Sequence, residues 1–213
     1  RDHRPGAHEK RVWSAACASR RTGCRAAALL QKTADERPLS TDFSFGIEEE
    51  FFLSHRRSRN VAIRLPRRFI REAERALGER VTHEMLQCQL EIVSPVLHSL
   101  EAARRHVYES RRTLARIALT HGLCLIAAGT HPLAVWADQE ITDDPRYDNV
   151  LQGFQIVGRR NLLCGLHVHV GIPPKIDRVQ LMNSAMRWLP LFLALSASSP
   201  FWHRQRTGLL SYR

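Results

Sequence analysis

The sequence predicts an α+β fold, an antiparallel sheet with helices packed on one face, and three observations carry that expectation. Short runs such as Phe43 to Leu53 and Leu162 to Ile172 alternate apolar and polar residues with the two-residue period of a strand. Between them lie segments with three-four apolar spacing, as in a helix. The connections are rich in Gly, Pro, Ser and Asp. With 213 residues and 44% hydrophobic content, the chain is long enough to bury a real core.

Phe43 to Leu53 is the first expected strand. Leu65 to Gly78 reads as an amphipathic helix with Phe69, Ile70, Ala73, Ala76 and Leu77 on one face, stopped by Gly78. Glu84 to Val93 reads as a second strand ended by Ser94-Pro95. Ser99 then caps a long helix carrying Leu100, Ala103, Val107, Leu114 and Ile117 and ending at Gly122. Leu123 to Ala128 is a third strand, entering the turn Gly129-Thr130-His131-Pro132. After an Asp-rich loop comes the fourth strand, Leu162 to Ile172. Asp177 opens a last helix with Leu181, Ala185, Trp188, Leu189 and Phe192, which Pro190 must bend or restart.

The formal charge is +11, and residues 1 to 40 hold nine Lys or Arg against four Asp or Glu. This stretch has weak periodicity and reads as a basic, disordered extension. The remaining excess lies on helix faces such as Arg67, Arg68, Arg71 and Arg75, where solvated arginines are ordinary, and few aromatics interleave with them to suggest nucleic acid. Five cysteines (Cys17, Cys24, Cys88, Cys124, Cys164) include no C-x-x-C pair. They suggest reduced thiols in a cytoplasmic protein. The greasiest run, Trp188 to Leu195, is far shorter than the roughly 18 apolar residues of a membrane span.

The chemistry concentrates on the polar sides of three strands. Side-chain alternation puts Glu48 and Glu50 on one face of the first strand and Ile47, Glu49 and Phe51 on the other. In the second strand Leu86, Cys88, Leu90 and Ile92 oppose Gln87, Gln89 and Glu91; in the fourth, Leu166, Val168, Val170 and Ile172 oppose His167 and His169. If the greasy sides meet helices, Glu48, Glu50, Glu91 and His167 crowd one small area, with His169 on the same face as the weaker candidate. Two carboxylates ~4 Å apart repel by roughly 4 kcal/mol at an effective dielectric near 20, so the cluster asks for cations. Carboxylates with an occasional imidazole suit Mg²⁺ or Mn²⁺, and two such ions can flank a phosphate. Two readings remain beside this one: a zinc hydrolase using His167 and His169, and a non-catalytic anion-binding fragment driven by the basic charge.

The stretches GIEEEFF (46–52), EMLQCQLEIVSP (84–95), AGTHP (128–132), RY (146–147), GLHVHVGI (165–172) and SSPFWHRQRTGLLSYR (198–213) resemble, in this order, the bacterial carboxylate-amine ligases, also called type 2 glutamate-cysteine ligases, of the glutamine synthetase-like superfamily. The resemblance implies that residues 41–213 form the N-terminal part of a glutamine synthetase-like catalytic domain, in a chain shorter than the family's. It implies ATP-dependent formation of a γ-glutamyl amide from glutamate and cysteine or another amine, through a γ-glutamyl phosphate. It further implies Mg²⁺ or Mn²⁺ on Glu48, Glu50, Glu91 and His167, and nucleotide phosphates beside His167 and His169. Thr130 and His131 would lie near the amino-acid substrate, and Arg213 would neutralise the transferring phosphoryl group. Small molecules are then the expected partners, not nucleic acid or membrane, with homo-oligomerisation left open.

Overall fold

The computed structural model describes residues 43–145, 147 and 161–212. The expected basic extension therefore lies outside the described residues, as do Cys17, Cys24, Arg146 and Arg213. The long first strand, β1 (Ser44–His55), organises the rest. On one edge it pairs antiparallel with β3 (Gln89–Val93), which in turn pairs with β2 (Val81–His83). Its other edge is divided. Ser44 to Glu49 pair with β5 (Leu166–Gly171), and Phe52 to His55 pair with β4 (Leu123–Ile126).

Two helices cover one face of this antiparallel sheet: α1 (Arg67–Leu77) and α2 (Leu100–Thr120). Odd-numbered β1 residues Phe51 and Leu53 pack with Leu90, Phe69, Ala73, Leu77, Leu114 and Ala118 in one core cluster. The α2 boundaries follow local chemistry. Ser99 Oγ accepts a hydrogen bond from the Ala102 N–H, and Gly122 takes φ 70°, a conformation that favours glycine, just past the end. Ser99→Ala should cost about 1 kcal/mol in denaturant unfolding with no change in slope.

On the opposite face the even-numbered residues change character along β1. Phe52 joins Val61, Met85, Leu86, Cys88, Ala134, Leu162 and Cys164 in a second apolar cluster, while Glu48 and Glu50 stand one turn of the pleat earlier. Glu48 and Glu50 thus border this core on one side, while on the other the neighbouring strand β5 with His167 and His169 is exposed. Cys88, Cys124 and Cys164 are all free thiols.

Three expectations need correction. The strand expected from Glu84 to Val93 starts only at Gln89, because Leu86 leaves to bridge Ile141 and the Gln87 N–H is taken by the Glu140 carbonyl. Gln89, assigned to the polar side, is buried, with its amide donating to the Leu163 carbonyl and, at 3.2 Å, to Cys164 Sγ. The apolar side of β5 was expected to meet helices, yet Leu166, Val168 and Val170 are about half exposed. The reason is the divided edge: α1 and α2 reach the β1–β3–β4 part of the sheet, and β5 lies beyond it.

The last expected helix is two helices. Asp177 caps α3 (Arg178–Ala185) through hydrogen bonds from the Val179 and Gln180 N–H groups. After a 3₁₀ turn, α4 (Leu189–Ser196) begins with Pro190 in its first turn, where a missing N–H costs nothing. Their apolar residues, including Leu189 and Phe192, are exposed rather than buried as the spacing predicts. A short hairpin, β6 (Phe201–Trp202) and β7 (Gln205–Arg206), follows; its two-residue strands are too short for alternation to show in the sequence. Among the described residues, no helix is long and apolar enough to cross a membrane.

Candidate active site

Strand register builds the site. Glu50 stands opposite Glu91 on β3, and Glu48 opposite His167 on β5, all on the face away from α1 and α2. His169, two residues on, is the diagonal neighbour of Glu48, within reach of a long side chain. Its Nε2 lies 2.9 Å from Glu48 Oε2, and His167 Nδ1 lies 3.3 Å from the same oxygen. Two overlapping triads result, Glu48–His167–His169 and Glu50–Glu91–His167. In each, one ligand atom per residue falls within 4.8 Å of the others.

The surroundings hold these groups in place. Thr82, opposite Glu91 on β2, donates its hydroxyl to Glu91 Oε2 at 2.6 Å. The Gly165 N–H donates to Glu50 Oε2 at 2.8 Å. A Cβ at position 165 would come within 2.8 Å of His167 Nε2, so any other residue there would push the imidazole from the cluster.

Electrostatics divides the acids. The hydrogen bond with His169 is the largest influence on Glu48 and, together with that to His167, holds this partly buried carboxyl below the usual range although burial works against it. Glu50 moves the other way: burial raises it, and the charges of Glu91 and Glu48 add to the rise. Glu84, which the sequence reading did not single out, is pushed up to about 7, chiefly by burial and next by Glu50. It precedes the turn into β3, and no alternation could have placed it here.

Glu49 is separate from this cluster. On the opposite face of β1 it is buried, and Arg111 of α2 clamps it, Nε lying 3.0 and 2.9 Å from its two oxygens while one Nη also donates to Oε1. The third glutamate of GIEEEFF therefore serves the sheet–helix joint. Arg111 lies 62 residues away on a helix face that reads in the sequence as ordinary solvated arginines, so this partner of Glu49 was not legible there.

Two cavities flank the acids. A larger one of about 790 Å³ is bounded by Glu49, Glu50, Arg111, the Ala127–Gly129 segment, Cys164 to His167 and, across from them, Phe192 and Leu195 of α4. A smaller groove of about 290 Å³ runs past Gly46, Glu48, Ser94 and His169. Thr130 and His131 are buried behind the larger cavity. The Thr130 hydroxyl donates to the Phe201 carbonyl at 2.7 Å. His131 Nδ1 accepts from the Leu133 N–H, so Nε2 carries the proton and donates to Ser54 Oγ at 2.7 Å. Burial lowers this imidazole to about 4, and it is neutral at physiological pH. Both side chains are committed to fixing the loop whose preceding residues line the cavity.

The model for Glutamate-cysteine ligase family 2 matches residues 44–213. The chain belongs to that family. A relative from Ectopseudomonas mendocina, provisionally named a glutamate-cysteine ligase 2, is 50% identical over 173 residues, which are 81% of this chain and 46% of the relative. One from Bradyrhizobium diazoefficiens, with the same provisional name, is 42% identical over 185 residues, 87% of this chain and 43% of that protein. The family member described here thus spans about half the length of the curated relatives it matches. Its fold is similar to that of a bifunctional glutathione synthetase from Pasteurella multocida, with a TM-score of 0.55 at 15% identity over 75% of this chain and 24% of that one. The α+β class and the antiparallel sheet expected from sequence agree with this likeness.

Proposed function

We propose that this chain carries the phosphate- and cation-handling part of an ATP-dependent carboxylate-amine ligase that joins glutamate to cysteine or another amine. The observation that supports it most is the pair of triads sharing His167, set between two cavities. A ligase must bring a phosphoryl donor, a carboxylate and an amine to one charged point, and this arrangement offers one.

The donor set suits hard divalent ions: three carboxylates and two imidazoles, with Glu50 too poorly solvated to ionise comfortably alone. Glu48 and Glu50 would each serve one ion, Glu91 would be a third ligand, and His167 would be shared, with His169 in a lesser role at Glu48. Mg²⁺ or Mn²⁺ held there would supply charge neutralisation for the phosphate oxygens. A glutamate γ-carboxylate oxygen attacks the γ-phosphorus of ATP and ADP leaves. The amine nitrogen then attacks the acyl carbon of the γ-glutamyl phosphate, inorganic phosphate leaves, and the amine sheds a proton. The chain's own contribution is alignment, with Thr130 and His131 holding the substrate loop; Arg213, outside the described residues, is the group we assign to neutralising the transferring phosphoryl group.

The Glu48–His167–His169 triad also suits zinc, which keeps a hydrolase as the second reading. ADP formation separates the two. With this chain, and with a version extended to the length of its relatives, release of ADP should require a divalent cation, glutamate and an amine from a panel that includes cysteine. Zinc-dependent hydrolysis indifferent to nucleotide would overturn the ligase.

A further inference from the structure

We infer that Arg111 anchors the carboxylate of an amino-acid substrate in the larger cavity, and that buried Glu49 is the clamp that aims it. The inference rests on the ligase reading for the kind of ligand that enters, and goes beyond it in naming the recognition group. Arg111 and Glu49 belong to neither triad, yet both line the cavity that the Glu50–His167 side of the cluster also lines.

The geometry is that of a preformed anion receptor. The Arg111 side chain is 44% exposed and that of Glu49 only 7%. Nε and one Nη are taken by the Glu49 carboxylate; the remaining N–H donors of the planar fork are left for the cavity. A long side chain that would otherwise sample many rotamers is held in one by a partner on the central strand. Less conformational entropy is then lost when it binds a ligand.

Charge selects the ligand. Glu49 offsets Arg111, Glu50 adds a negative group, and the other side chains along the wall are mostly small or apolar: alanines, serines, Phe192 and Leu195. Away from the cation ligands Glu50 and His167, this wall has no cationic surplus for a triphosphate. An amino-acid zwitterion fits it, with the carboxylate on the Arg111 fork and the rest of the molecule extending toward Glu50 and His167.

Calorimetric binding to the full chain in the presence of Mg²⁺ tests this without requiring turnover. Two pairs of probes differ by one carboxylate: L-glutamate against 4-aminobutanoate, and L-cysteine against cysteamine. In at least one pair the acid should bind about tenfold tighter than its decarboxylated analogue, the strength of one charge-assisted hydrogen-bonded contact. The double variant Glu49→Gln/Arg111→Gln, which leaves no buried charge unpaired, should lose that preference while its affinity for ATP stays unchanged. Arg111→Lys, which keeps the charge without the fork, should retain part of it, and serves if the double variant does not fold.

Equal affinities within both pairs, no amino-acid binding by the wild type, a preference that survives in the folded double variant, or loss of ATP affinity instead would each overturn the inference. ADP formation by the version extended to the length of its relatives, measured in parallel, keeps the two ideas apart. Carboxylate preference without ADP formation would sink the ligase and leave the anchor standing, and the reverse result would do the opposite.

Discussion

Glu50→Gln is expected to reduce cation-dependent ADP formation by about a thousandfold while raising the melting temperature of the metal-free protein by a few degrees. Both directions follow from one feature. The Glu50 carboxylate is partly buried, faces Glu91 across the strand pair, and has its pKa raised by burial and by the neighbouring acids. Without an ion its charge is unfavourable, so a neutral isostere relieves that cost. The Gly165 N–H loses nothing, because the Gln carbonyl can accept the same hydrogen bond. With an ion, the carboxylate is the ligand, and the amide is a poor replacement.

Glu48→Gln supplies the contrast. Its carboxyl is held low by hydrogen bonds from His169 and His167, so neutralisation gives up favourable contacts and no rise in melting temperature is expected. Steady-state ADP assays and thermal melts in chelator measure both quantities. A Glu50→Gln protein within tenfold of wild-type activity, or one that melts well below wild type without metal, would show that Glu50 is a structural residue.

The legible part of this site was the part fixed by the pleat. Alternation alone separates Glu48 and Glu50 from Glu49, and it puts His167 and His169 on one side of their strand. Strand pairing then needs only the antiparallel registers of β1 with β3 and β5 to bring the groups together. What could not be read depends on where the chain leaves the sheet. Gln89 alternates with Glu91 as a polar residue should, yet the chain around Leu163 and Cys164 closes over it and takes its amide. Thr130 and His131 look like exposed loop residues by composition, but Phe201 and Ser54, from distant segments, supply partners that bury them. Alternation gives β5 an apolar side, but the three-four spacing read after Asp177 does not yield a one-sided helix, because α3 and α4 are exposed all round. Periodicity carries no information on whether another layer meets an apolar side, and here Val168 and Phe192 remain exposed.

Glu84 gives the second large effect, through pH. Its folded-state carboxyl sits at about 7 against an ordinary 4.5, because burial and the charge of Glu50 disfavour ionisation. A raised carboxyl favours the protonated native state. Its stabilisation is complete below the unfolded value near 4.5 and disappears as pH rises through 7. Glu84 keeps part of its solvent, so the full linkage value is reduced to about 2 kcal/mol. Metal-free protein should therefore lose about that much unfolding free energy between pH 5 and pH 8. Glu50, also raised, steepens the same slope. Glu48 and Glu72 have lowered carboxyls and act in the acid range instead, losing stability as pH falls below the usual carboxylate value. Subtracting the Glu84→Gln curve from the wild-type curve isolates the one group, and a flat difference between pH 5 and 8 would refute the assignment. Mn²⁺ adds a further check: a cation held by Glu50 and Glu91 places positive charge beside Glu84 and draws its carboxyl down. The wild-type slope should then flatten on adding Mn²⁺, while the Glu84→Gln protein, which has no such carboxyl to draw down, should show a smaller change.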